Sequence, residues 1–359
     1  IPVLIVPYYS VIGGWVIKYL VEYFRGNAKL LAEDGYFTDF ISNGVSTELC
    51  FVAFCAFTLI IIFAGVQNGI ERVSKIMMPI LIVLSVIIAV YSVTRPGALA
   101  GVKYFLVPNV KNFSWMTVVS AMGQMFYSLS IAMGILITFG SYMKKDTAIE
   151  DSTRNVEIFD TGIAIMAGLM IIPAVFAFSG GDPDTLQAGP SLMFITIPKV
   201  FQNMGFGTVI GIVFFLLVLF AAVTSSIALT ESAVSTFEDE LGWGRKKATV
   251  LVGVIMLALG SLSSLGYGPL AGIKIIGMQF LDLFDFLTNS VMMPIAALLT
   301  SLLVSRVVGI DKIEDEIIHG ESAFRRKKVF VVMIKYLCPV FAIIILLSSV
   351  ANALGWIKM

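Results

Sequence analysis

The sequence predicts an all-α membrane protein with nine transmembrane helices, and three observations predict it. Apolar residues make up 58% of the 359-residue chain. Charged residues make up only 13%, about half the share found in soluble globular domains. The apolar residues also come in runs of about 20, the length that crosses a hydrocarbon core of about 30 Å. A soluble fold of this composition would lack polar surface to cover its apolar mass. Lipid removes that need, provided each segment satisfies its own backbone as a helix.

In chain order the stretches are 1–24, 46–64, 73–94, 114–141, 158–179, 207–236, 248–265, 275–304 and 330–354. Pro79, Pro173, Pro294 and Pro339 fall inside them, which neighbouring helices can accommodate. The chain starts at Ile1 inside an apolar run, with no basic start or small-residue cleavage site, so an N-terminal portion is expected to be missing. Segments 25–45 and 180–206 carry loop signals. In the second, Gly180-Gly181-Asp182-Pro183-Asp184 is expected to turn sharply. Leu192–Val200 is expected to form a short re-entrant or surface helix capping a central cavity. Lys and Arg favour the segments 65–75, 142–157, 237–247 and 305–329, most densely at Arg245, Lys246 and Lys247. The positive-inside rule places these in the cytoplasm and the C-terminus outside. The expectation is one multi-pass domain, 1–359, in the inner (plasma) membrane.

Several function classes are excluded. A net charge of zero gives no basic footprint for nucleic acid. Cys50, Cys55 and Cys338 sit in apolar runs at spacings no metal motif uses. The single histidine, His319, lies in a charged loop. An enzyme needs a nucleophile–base pair or a metal cluster, and the sequence offers neither. A channel needs a repeated filter-like loop, also absent.

Polar residues inside spans point to function, because an ionisable group in lipid is costly. Asp160, Glu231, Asp282 and Asp285 lie in or at the ends of spans, without a basic residue on a neighbouring turn. Each is either an interhelical hydrogen-bonding group or part of a site. Two hydroxyl clusters add to this. The carbonyl of Ala221 and the hydroxyls of Thr224 and Ser225 share one helical face. They offer half an oxygen cage for a hard cation, or else bond back to their own helix. The run Gly123-Gln124-Met125-Phe126-Tyr127-Ser128-Leu129-Ser130, followed by Ala132-Met133-Gly134, loosens a helix at mid-membrane. It either breaks there, presenting dipole ends to an anionic or zwitterionic group, or packs small residues against another helix.

These segments resemble the neurotransmitter:sodium symporter family, in particular its bacterial amino-acid transporters. Ala121 to Ser130 resembles the family's broken sixth helix. Ala221 to Ala228, with Phe237-Glu238-Asp239-Glu240-Leu241 beyond, resembles the eighth. Pro7-Tyr8-Tyr9 through Trp15 resembles the third. The resemblance spans essentially the whole chain. It implies an inverted-repeat (five-plus-five) transporter fold lacking its first two helices, and a sodium-coupled symporter of a neutral, hydrophobic or aromatic amino acid. Without those two helices the chain alone would not transport. A non-transporting amino-acid-binding sensor or receptor is the alternative.

The resemblance also implies roles. Tyr9 would bind the substrate carboxylate, with Ser225 beside it. Ile5, Ser130, Met133 and Leu229 would line the side-chain pocket, under a lid formed by Tyr127. Ser128 and Asp160 would hold one sodium ion; Ala221, Thr224 and Ser225 would hold a second. Asp285 and Gln124 would belong to the gates, as would Asp239 with Tyr142 close to it. A carboxylate at Asp160, where many relatives have Asn, implies chloride independence. Ala132 departs from the family's common glycine and would narrow the pocket or stiffen the break. The implied partners are a small-molecule amino acid and the lipid bilayer, with no nucleic acid.

Overall fold

In a bilayer an isolated segment satisfies its own N–H and C=O groups only as a helix. The computed structural model describes residues 1–182, 186, 189–321, 323–353 and 355–356, with the side chain of Asn112 left aside. Among these residues the only β pairing is an isolated bridge between Ile275 and Met278. The helices are α1 (Pro2–Phe24), the short α2 (Ala28–Leu31) and α3 (Tyr36–Ser42), α4 (Gly44–Phe63), α5 (Val66–Val93) and α6 (Ala98–Leu106). Next come α7 (Trp115–Ser128), α8 (Ile135–Ser141), α9 (Ile149–Ser179), α10 (Leu192–Gln202), α11 (Gly207–Leu241) and α12 (Arg245–Leu265). The last are α13 (Phe280–Val308), α14 (Ile310–Gly320) and α15 (Lys327–Ala353).

Among the described residues, 8 helices are long and apolar enough to cross a membrane: α1, α4, α5, α9, α11, α12, α13 and α15. The ninth predicted stretch, 114–141, is not one continuous helix. It is split into α7 and α8, so of the two readings of that run the break is the one seen. Several helices also outrun the apolar stretches that predicted them. The 31-residue α9 starts at Ile149 rather than 158, and the 35-residue α11 runs on to Leu241. The expected loop 237–247 shrinks to 242–244, and 65–75 is helical from Val66 onward. At 1.5 Å per residue, α9 is roughly 46 Å long, well beyond a ~30 Å hydrocarbon core. Hydropathy registers only the buried length of such a helix.

The prolines explain part of the irregularity. π-helical turns at Phe286–Met292 and Met333–Leu337 sit immediately before Pro294 and Pro339. A proline ring cannot donate to, and crowds, the carbonyl one turn earlier. A wider turn at that place relieves both problems.

The chain divides into two compact units. The first comprises Ile1–Ile5, Val110–Thr161 and Asp282 onward; the second comprises Val6–Asn109 and Gly162–Leu281. In the first, α13 packs along α15, and α15 meets α7. The Glu321 carboxylate accepts hydrogen bonds from the Glu150 and Asp151 amides at 2.6 and 3.3 Å, capping the start of α9. A negative group at that end satisfies otherwise orphaned donors and complements the helix dipole.

In the second unit, α4 packs on α12, and α11 packs against α4, α5 and α12. Small residues permit the approach: a Cβ on Gly14 of α1 would fall 2.7 Å from the Phe51 backbone nitrogen, so only glycine fits. An aromatic cluster ties α3 and α10 down. Trp15 lies edge-on to Phe37 at 5.3 Å, Tyr19 stacks on Phe215 at 5.2 Å, and the Tyr19 hydroxyl donates to the Phe194 carbonyl at 2.8 Å. The expected short helix at 192–200 is α10, with Phe194, Ile197, Val200 and Phe201 buried. Gly180 and Gly181 take positive φ values of 71° and 98°, as a sharp turn requires; Pro183 and Asp184 lie outside the described residues.

Candidate functional site

The two units each carry a share of the residues singled out in the sequence. In the first, the break between α7 and α8 is the central feature. α7 starts from a capping box between Ser114 and Thr117 and ends at Ser128. Its last carbonyls are taken up by the chain beyond: Leu129 N–H donates to Met125 O at 3.0 Å, and Ile131 N–H to Phe126 O at 2.9 Å. This C-terminal wrap needs a left-handed residue, most often glycine. Here Ser130 fills that role at φ 54°, followed by Ala132 at φ 62° and Gly134 at φ 82°. Alternating left-handed residues keep 129–134 from resuming a helix. Ala132, the departure from glycine noted in the sequence, therefore occupies a conformation that favours glycine.

At the end of α7 the Ser128 hydroxyl donates to Asp160 Oδ1 at 2.5 Å. Two oxygen-bearing side chains, 32 residues apart, thus meet beside a helix break. Met133 is buried, Ser130 and Tyr127 are half-buried, and Gln124 is exposed on α7. Tyr142 is exposed just past α8. Asp285, half-buried on α13, accepts a hydrogen bond from Asn289 Nδ2 at 2.5 Å. Ile5 is fully buried.

In the second unit, one turn of α11 gathers the other set. The Thr224 hydroxyl donates back to the carbonyls of Ala221 and Phe220, each at 3.0 Å. Back-bonding, one of the two arrangements the spacing allows, is therefore present. It keeps Thr224 Oγ1 and Ala221 O adjacent and leaves oxygen lone pairs on the same face. Ser225 is exposed, and Tyr9 of α1 is half-buried. Leu229 lies one turn further on, and is buried. Ser226 points the other way, sharing a 3.1 Å hydrogen bond with Thr58 of α4. Asp239 is exposed in the last turns of α11.

Glu231 has a partner that the sequence did not suggest. Its carboxylate is fully buried and pairs with Arg245, the first residue of α12. No base lies on a neighbouring turn of α11, yet the chain reverses at Gly242–Gly244 and brings Arg245 back alongside. Arg245 is thus a buried-pair partner rather than a loop charge. The available signal was the reversal itself: Gly242, with φ 62°, ends α11, and glycine just past a helix marks such a stop.

The chain is similar to several known proteins. The family model described as the sodium:neurotransmitter symporter family matches residues 21–356. An uncharacterized sodium-dependent transporter, YhdH of Bacillus subtilis, is 34% identical over 351 residues, covering 97% of this chain and 77% of that protein. An uncharacterized sodium-dependent transporter of Haemophilus influenzae is 30% identical, covering 96% and 76%. Another from Methanocaldococcus jannaschii, MJ1319, is 28% identical, covering 88% and 65%. Among solved structures, the crystal structure of MhsT in complex with L-phenylalanine superposes with a TM-score of 0.83 at 33% identity, covering 97% of this chain and 79% of that one. A broken membrane helix, paired oxygen groups on two spans and a sequence match along nearly the whole chain converge: this multi-pass membrane protein belongs to the sodium:neurotransmitter symporter family.

Proposed function

We propose that residues 1–359 form a single transport domain and that the transporter they belong to carries a neutral amino acid with a hydrophobic or aromatic side chain into the cell together with sodium, by alternating access. The observation that carries this reading is the 2.5 Å contact between Ser128 and Asp160 at the end of a broken membrane helix. A hard monovalent cation seeks oxygen ligands, and a helix break frees backbone oxygens where lipid would otherwise forbid them. Ser128 and Asp160 take the first sodium. The Ala221 carbonyl and the hydroxyls of Thr224 and Ser225 take the second. Asp160 supplies a fixed negative charge, so chloride is not required.

Tyr9 and Ser225 bind the substrate carboxylate, and Tyr127 closes over it. Ile5, Ser130, Met133 and Leu229 surround the side chain. That lining has no acidic group to hold a cationic substrate, and methionine adapts to varied apolar shapes. The likeness to MhsT, whose structure is a complex with L-phenylalanine, supports an aromatic or large apolar substrate. Asp285 and Gln124 belong to the outer gate; Asp239 and Tyr142 belong to the inner one. Because the substrate carboxylate shares the first sodium's surroundings, each ligand tightens the other by the same factor.

The test is uptake of radiolabelled L-phenylalanine by the purified full-length transporter in proteoliposomes under an inward sodium gradient. Accumulation above equilibrium, abolished when potassium replaces sodium, is expected. Saturable binding without accumulation would identify a sensor instead and overturn the transport reading.

A further inference from the structure

Glu48 lies near the start of α4, a membrane span in the second unit. Among the described residues no Lys or Arg forms an ion pair with it. Its Oε1 accepts a hydrogen bond from the Ser261 hydroxyl of α12. Its Oε2 is buried and has no hydrogen-bond partner among the described residues. A second buried oxygen is in the same position: the Ser264 hydroxyl of α12 also lacks a partner, and Ser264 is only 2% exposed. Buried polar groups are paired in folded proteins, and a charge away from water needs a partner most of all.

The packing of α4 on α12 sets these oxygens against one another. A Cβ on Gly260 would run into the Phe51 ring, Ser261 meets Glu48, and a Cβ on Gly44 would lie 3.1 Å from Leu265 Cδ2. The two helices are therefore antiparallel here, with 260–265 against 51–44. Ser264 follows Gly260 by four residues and Ser261 by three, so it shares their helix face and lies opposite the turn Gly44–Glu48. We infer that Glu48, Ser261 and Ser264 bind a monovalent hard cation, sodium, between α4 and α12. Hard cations take oxygen ligands, and a serine hydroxyl that donates still has lone pairs to offer. One carboxylate among neutral hydroxyls balances one positive charge rather than two. A groove of about 530 Å³, walled by Asn43, Gly44, Leu265, Pro269 and Glu48 itself, gives the ion a way to the carboxylate. None of the residues proposed above as sodium ligands lies on α4 or α12, so the inference goes beyond the symport reading and stands without it.

The purified full-length transporter, without amino acid, is titrated with radioactive sodium at constant ionic strength, choline being the replacement cation. Glu48→Gln is expected to bind one sodium ion fewer per protein at saturation while keeping sodium-dependent binding of L-phenylalanine. Ser264→Ala is expected to keep the ion but to hold it about tenfold more weakly, the ratio that corresponds to ~1.4 kcal/mol. Melting curves in choline show which variants are folded. Should Glu48→Gln misfold, the weakening in Ser264→Ala, with Ser261→Ala beside it, carries the test. Failure of the proposed symport sites would lower the total number of ions bound and leave the one-ion difference at Glu48 in place. Sodium binding equal in number and affinity in the native protein and every folded variant, as for a carboxyl that holds only a proton, overturns the inference.

Discussion

Glu231 and Arg245 form a two-pronged ion pair inside the second unit, with Nη1 donating to Oε1 at 3.0 Å and Nη2 to Oε2 at 2.6 Å. The same guanidinium donates to the Ile62 carbonyl from Nε and Nη2 at 3.1 and 2.9 Å. One side chain therefore joins the end of α4, the C-terminal half of α11 and the start of α12. Removing one partner of such a pair strands the other charge without water. Arg245→Ala is expected to cost about 3–5 kcal/mol, measured as a loss of thermal stability in detergent or lipid. Glu231→Gln with Arg245→Met should cost clearly less than the two single changes added together, because neither charge is then left alone. As a structural pair, it also predicts that Glu231→Gln leaves the pH profile of uptake unaltered.

Ala132 makes a second prediction. At φ 62° its Cβ crowds the following carbonyl, a cost of about 1–2 kcal/mol for an L-residue. Ala132→Gly removes that strain but loosens the unfolded chain by roughly 0.5–1 kcal/mol. The net expectation is a small gain, on the order of 0.5–1 kcal/mol. Ala132→Val, β-branched, should lose stability at the same place. A melting-temperature series over Gly, Ala and Val checks both signs; a series in which Val exceeds Gly would contradict the strain.

The sequence carried the spans well because lipid imposes one simple demand, and runs of apolar residues answer it directly. The break at 129–134 was legible as a choice between two readings, since Gly, Ser and Gln weaken a helix wherever they occur. What it did not reveal was the agent, three left-handed residues at Ser130, Ala132 and Gly134, because φ is not written in residue type when Ser and Ala adopt it. The contact between Ser128 and Asp160 was expected only through the family resemblance. Glu231 with Arg245 was hidden because pairing along one helix is readable from spacing, while this partner returns after a three-residue reversal. The outer helix ends were misplaced for a different reason. Charged turns such as Phe237–Leu241 are helical outside the apolar layer, where hydropathy has nothing to say.

Ser128 and Asp160 permit a direct test of the proposed first sodium site. Ser128→Ala removes one oxygen next to a carboxylate, an interaction worth about 1.5–3 kcal/mol. The sodium concentration for half-maximal uptake should rise on the order of 10–100-fold, with the unfolding temperature nearly unchanged because Ser128 is exposed. Asp160→Asn removes the fixed charge. Uptake by that variant is expected to become chloride-dependent, measured by exchanging chloride for gluconate. Sodium dependence untouched by both substitutions would remove this pair from the site.

Asp34 and Lys199 give a pH-dependent prediction outside the membrane spans. Lys199 of α10 donates to Asp34 Oδ1 in the segment between α2 and α3. That hydrogen bond, together with the attraction of the ammonium, holds the Asp34 carboxyl below its ordinary value. A depressed folded-state value means that the contribution is complete above the unfolded Asp value of about 3.9 and is lost as pH falls through the lower folded one. The Asp34 side chain is 92% exposed, and exposed pairs contribute little to global stability. The effect should therefore appear as local opening. Amide hydrogen exchange in Leu192–Gln202, corrected for intrinsic rates, should quicken between pH 6 and pH 3 in the native protein. In Asp34→Asn it should already be fast at pH 6 and change much less on acidification. Equal pH responses in the two proteins would show that α10 is held by its buried aromatic contacts alone.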